Sequence, residues 1–120
     1  MAKVSKLQIT ENYANALFKA AEAENLLDAM RADCQNIEAS LLQTPQLKIF
    51  NSPEVKLSEK KNLLAQIAKV LKLSNPTVNF LELLAEKRRF NLLSDILQYV
   101  RHLDLKKQGI LEINAESVQE

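Results

Sequence analysis

Apolar residues recur at intervals of three and four along almost the whole chain up to residue 105, the spacing of helices that bury one face. The breaks between these runs carry helix-capping chemistry, and together they predict six helices. The first spans roughly 6–24, ending where Glu24 and Asn25 interrupt an alanine-rich pattern. The second, roughly 26–43, carries Leu27, Met30, Cys34, Ile37 and Leu41 in one narrow stripe. Thr44 suits an N-cap and Pro45 a first helical position, so a short third helix is expected over 45–50, ending at Asn51-Ser52-Pro53. Ser58 is placed to cap a fourth helix over about 58–72, with Leu63, Leu64, Ile67, Val70 and Leu71 facing inward. Ser74 or Asn75-Pro76 opens the fifth, which runs to about Lys87. A basic corner, Lys87-Arg88-Arg89, separates it from a sixth over about 90–105 carrying Leu93, Ile96, Leu97, Val100 and Leu103.

Beyond residue 105 the pattern changes. Lys106-Lys107-Gln108-Gly109 is a polar break holding the only glycine, and Ile110-Leu111-Glu112-Ile113 reads as a strand. A lone strand buries nothing by itself. The expected organisation is therefore an all-α six-helix bundle over 1–105, followed over 106–120 by a linker and the first strand of an absent C-terminal domain, a disordered or strand-like tail.

Two helices carry more apolar surface than one-sided packing uses. On the first, Ala16, Ala20, Tyr13, Leu17, Ala21, Ala14 and Phe18 cover an arc of about 200°. Giving Phe18, Ala14, Ala21 and part of Leu17 to the core leaves Tyr13, Ala16 and Ala20 as a second, shallow stripe. On the fifth, Leu83, Phe80, Leu84, Leu81, Ala85 and Val78 cover about 220°, with Asn79 at the edge. Side by side, two such helices form a groove into which an amphipathic helix lays its anchors at i, i+3, i+4 and i+7. The competing explanation is that a central helix of a bundle touches neighbours on two sides and needs two apolar faces in any case.

Composition narrows the chemistry. Hydrophobic residues make up 47% of the chain and charged ones 26%, a balance that supports one core in 120 residues. One glycine leaves no glycine-rich loop to cradle a phosphate. A lone cysteine, Cys34, on a buried stripe reads as a small core hydrophobe, and a lone histidine, His102, beside the sixth helix's apolar stripe reads as a surface residue, so no metal site, cofactor site or catalytic set is expected. Glu82 and Glu86 share a helix face with no pocket around them and read as solvated. No apolar run approaches the length of a membrane span, and no signal-peptide core follows the N-terminus. The net charge of +1 provides no bulk pull toward polyanions. A local patch at Lys87-Arg88-Arg89, joined by Lys60-Lys61, is the basis of an alternative reading as a small helical nucleic-acid binder. A third reading is an adaptor for an unrelated amphipathic helix.

Two stretches carry a family resemblance. Tyr13-Ala14-Asn15-Ala16-Leu17-Phe18-Lys19-Ala20-Ala21 resembles the "YA-x-ALF-x-x-A" opening of the delta subunits of F-type ATP synthases, called the oligomycin-sensitivity-conferring protein in mitochondria. Phe80 to Leu93 resembles that family's "FL-x-LL-x-E-x-GR-x-x-LL" segment. Residues 47–53 and 56–67 fall where the family has a short helix and a "K-x-x-x-I" helix, so the resemblance covers about 1–115. It implies a six-helix N-terminal domain of a non-catalytic stator component, whose groove between the first and fifth helices holds the N-terminal helix of an alpha subunit. The peripheral-stalk b subunit would be joined through the C-terminal domain. Matched by motif, the groove residues are Tyr13, Ala16, Leu17 and Ala20 on the first helix and Asn79 and Leu83 on the fifth. The resemblance further implies a peripheral place on the cytoplasmic face of a bacterial cell membrane, and the isolated domain is expected to be monomeric. Arg88 departs from the pattern, standing where the family commonly has glycine; in a left-handed conformation a side chain there costs roughly 1–2 kcal/mol.

Overall fold

The computed structural model describes residues 5–109, and within them the architecture is six α-helices with no strand. Helix α1 is Lys6–Ala23, α2 Leu27–Ala39, α3 Gln46–Asn51, α4 Leu57–Leu71, α5 Asn75–Glu86 and α6 Leu93–Lys107. Short 3-10 turns at Leu41–Gln43 and Phe90–Leu92 lead out of α2 and into α6. The all-α expectation is met, and the strand expected at Ile110 to Ile113 lies outside the described residues.

The core forms where the predicted stripes converge. Leu17 and Phe18 of α1, Met30 and Ile37 of α2, Leu81 and Leu84 of α5, and Ile96, Leu97 and Val100 of α6 are all buried. Helix α1 packs most extensively on α6 and also touches α5 and α2; α5 touches α1, α2 and α4. A fifth helix with three neighbours accounts for most of its wide apolar arc, since Phe80, Leu81, Leu84 and Ala85 are all buried.

Helix ends explain where the elements stop. Asn25, Lys72 and Arg88 each adopt φ near +60°, and each is followed by a residue whose N–H donates five residues back: Leu26 to Ala21, Leu73 to Ala68 and Arg89 to Leu84. These are left-handed C-terminal stops that satisfy carbonyls the helix leaves free. Arg88 therefore occupies the strained conformation anticipated for its position. At the start of α1, Ser5 Oγ accepts the Gln8 N–H at 3.0 Å.

Several boundaries differ from expectation. Helix α4 begins at Leu57 with Lys56 as N-cap, rather than being capped by Ser58, because the Glu59 carboxylate reaches back to accept the Lys56 N–H at 3.3 Å. Helix α3 starts at Gln46 with Pro45 at the cap, and Thr44 Oγ1 is used instead to donate to the Leu41 carbonyl at 3.1 Å. Val70, expected to face inward, is 77% exposed. It sits at the far edge of the α4 stripe, and the inward place is taken by Lys60, which is in register with Leu64, Ile67 and Leu71. Helix α6 continues to Lys107, beyond the expected end at about 105; Lys106 and Lys107 in its last turn complement the helix dipole there.

Candidate partner-binding face

The first and fifth helices are in direct contact, and their flanks hold the residues singled out by pattern. On α1, Thr10, Ala14, Leu17, Phe18 and Ala21 face the core, and the adjoining flank carries Tyr13, half-buried, with Ala16 and Ala20, both exposed. On α5, Leu83 is 38% exposed, a large apolar side chain left partly uncovered, and Asn79 beside it is exposed. Of the six positions, Leu17 stands apart: it is 2% exposed and belongs to the core. The remaining five lie at the surface or half-buried on two helices that touch.

The chemistry of this face is apolar and shallow. Alanine side chains at Ala16 and Ala20 allow another backbone to come close, and Leu83 and the Tyr13 ring offer buriable area. The Arg89 guanidinium lies 6.0 Å above the Tyr13 ring, within the range of a cation–π contact, and ties the α5–α6 corner to α1. Nothing in the sequence pattern signalled this pairing.

A buried polar network fixes how α5 is presented. Asp33 of α2, 3% exposed, uses Oδ2 to accept from the Ser74 N–H at 3.0 Å, the Ser74 hydroxyl at 2.6 Å and the Thr77 hydroxyl at 2.7 Å. The carboxylate thus caps α5 from a neighbouring helix, at the positive end of its dipole. On the α4 side, Lys61 Nζ lies 2.7 Å from Glu86 Oε2. That hydrogen bond lowers the Glu86 pKa and raises that of Lys61. Glu86 is therefore an ion-paired carboxylate, with no acid–base role, and Glu82 is half-buried on the same helix.

The other singled-out residues fall into place as structural. Cys34 is buried, and desolvation pushes its thiol up to about 12, so it stays protonated and unreactive. His102 is exposed and stacks obliquely with Tyr99, ring centroids 5.5 Å apart. Among the described residues no group of three or more His, Cys, Asp or Glu side chains is placed to hold a metal ion. The basic cluster is divided: Lys61 pairs with Glu86 and Arg89 lies over Tyr13, while Lys60 and Arg88 line one cleft.

The described residues form an all-helical bundle with a partly uncovered apolar flank on α1 and α5. The family model for the ATP synthase delta (OSCP) subunit matches residues 9–120, and the chain belongs to this family. It is 36% identical over 110 residues to an ATP synthase subunit delta of Desulfitobacterium hafniense, covering 91% of this chain and 61% of that protein. It is 35% identical over 104 residues to the subunit of the same name from Thermosynechococcus vestitus, covering 86% and 56%. It is 30% identical over 102 residues to that of Nitrobacter winogradskyi, covering 84% and 55%. The chain thus spans less than two thirds of the length of these relatives.

Proposed function

We propose that the chain acts as a non-catalytic component of the stator, the peripheral stalk, of an F-type ATP synthase, and that the face between α1 and α5 receives the N-terminal helix of an alpha subunit. The observation that carries this is the uncovered apolar edge on two touching helices: Leu83, 38% exposed, with Ala16 and Ala20 exposed and Tyr13 half-buried. Membership of the delta family supports the complex, and the bacterial relatives support a peripheral place on the cytoplasmic face of the cell membrane. No helix among the described residues is long and apolar enough to cross a membrane. Contact with the b subunit belongs to the C-terminal domain that the family likeness implies.

The role is mechanical. An amphipathic helix buries anchors at helical spacing against Tyr13, Ala16, Ala20, Leu83 and Asn79, and the rigid packing of α1 on α5 and α6 transmits load from the catalytic head to the stalk. Asn79 supplies a polar edge that orients the helix. Leu17 supports the face from beneath. The test is Ala16→Asp, which puts a carboxylate against the incoming helix at an exposed site where the free fold is unaffected. Binding of a synthetic peptide of the alpha-subunit N-terminus should weaken by about a hundredfold, because an unpaired charge is costly to desolvate. The circular dichroism spectrum and melting temperature should stay as they are. Unchanged affinity would put the partner on another surface.

A further inference from the structure

Lys60 is 5% exposed, an unusual setting for a lysine, and among the described residues it takes part in no ion pair. Its inward register on α4 brings it to a cleft of about 310 Å³ lined also by Phe50, Asn51, Pro53, Arg88 and Asn91. The Lys60 stem is buried, and the cleft lining at its end contains no carboxylate to neutralise the ammonium. It contains a second cation instead. Arg88 too has no ion-pair partner among the described residues, and it holds φ +57°, a conformation in which glycine carries no strain. Strained non-glycine residues concentrate where the side chain has a use. One wall is stiff, since Phe50 stacks on Phe90 with ring centroids 4.5 Å apart and planes 15° from parallel.

We propose that this cleft binds a phosphate group, with Lys60 and Arg88 supplying the charge and the carboxamides of Asn51 and Asn91 the neutral donors. Two full positive charges match a dianion better than a single carboxylate, and a guanidinium fork beside an ammonium suits a tetrahedral oxyanion. The volume exceeds that of one inorganic phosphate, so the group arrives either free or as the phosphate of a nucleotide. The cleft shares no lining residue with the α1–α5 face.

The test is a titration of the isotope-labelled 120-residue chain with sodium phosphate, against sodium chloride of equal ionic strength, following backbone amides. Saturable shifts at Asn51, Lys60, Arg88 and Asn91 in phosphate, absent in chloride, are expected. Lys60→Met and Arg88→Gly should each weaken binding by about tenfold. Arg88→Gly has a second signature: in chloride its melting temperature rises, because the strain at the corner is relieved, while the phosphate-dependent rise seen in the parent chain disappears. ADP titrated in the same way separates the sources. Tighter binding than inorganic phosphate assigns the cleft to a nucleotide phosphate, and no response to ADP assigns it to free phosphate. Uniform shifts without saturation, or binding at parental strength by both variants, would overturn the site.

Discussion

Asp33 performs the capping that Ser74, the N-cap of α5, leaves undone with its own side chain. Ser74 directs its hydroxyl to the carboxylate, and the carboxylate accepts the backbone N–H in its place. With Thr77 0% exposed, the hydroxyl there has no access to water if the acceptor is removed. Asp33→Ala is therefore expected to destabilise the fold by about 2–3 kcal/mol, with Asp33→Asn losing less because an amide oxygen still accepts. Urea denaturation followed by circular dichroism measures it, and a loss below about 0.5 kcal/mol would mean that the network is not structural. The sequence did not reveal this residue. Asp33 precedes Cys34 on a helix where the apolar stripe was plain, but an aspartate one place off that stripe reads as solvent-facing until the start of α5 is known to lie against it. Lys60 was noticed only as part of a basic patch; that it shares the inward register with Leu64 was not drawn from the sequence. Arg88 was legible as a departure from a family glycine, and the structure gives it the left-handed backbone whose cost was stated only conditionally.

At the scale of elements, the C-terminal half of α6 is held to α2 by two arginine–carboxylate pairs. Arg101 pairs with Glu38, and Arg31 grips Asp104 with Nε to Oδ2 at 2.7 Å and Nη2 to Oδ1 at 3.0 Å. Gln108 adds a third donor to Asp104 at 3.1 Å. Exposed pairs such as Lys6 with Asp95 and Lys107 with Glu22 contribute little by comparison. Asp104 is 6% exposed, and the Arg31 hydrogen bond holds its carboxyl below the usual aspartate value of 3.8, against the opposing effect of burial. A depressed folded-state value means that the unfolded chain binds the proton more readily. The contribution is thus fully present above the unfolded aspartate value and is lost as pH falls through the folded one. Stability should fall as pH drops below the unfolded aspartate value, and Arg31→Met should flatten that part of the curve. An identical acid slope in the variant would assign the loss to other carboxylates. Helix number and order were readable from apolar spacing and cap residues. The ends were not, because the choice between Lys56 and Ser58, or Thr44 and Pro45, rests on single hydrogen bonds that spacing does not encode.

For the whole molecule, the reading as a stator component rests on what the bundle leaves uncovered. Packing against three neighbours absorbs most of the broad apolar arc of α5, so arc width alone was a poor guide to a groove. Pattern arithmetic counted Leu83 and Phe80 alike, whereas the structure buries Phe80 and leaves Leu83 38% exposed. The positions named by the motif resemblance on α1 and α5, Leu17 excepted, lie on or at the edge of the surface. An apolar docking face responds weakly to salt, unlike the phosphate cleft or any polyanion contact. The most direct measurement is a titration of the isotope-labelled chain with a synthetic peptide of the alpha-subunit N-terminal helix at low and high salt, following amide shifts. Shifts concentrated on Tyr13 to Ala21 and Asn79 to Lys87, and nearly unchanged between the two salt concentrations, are the predicted result. Shifts elsewhere, none at all, or binding that collapses in high salt would contradict it.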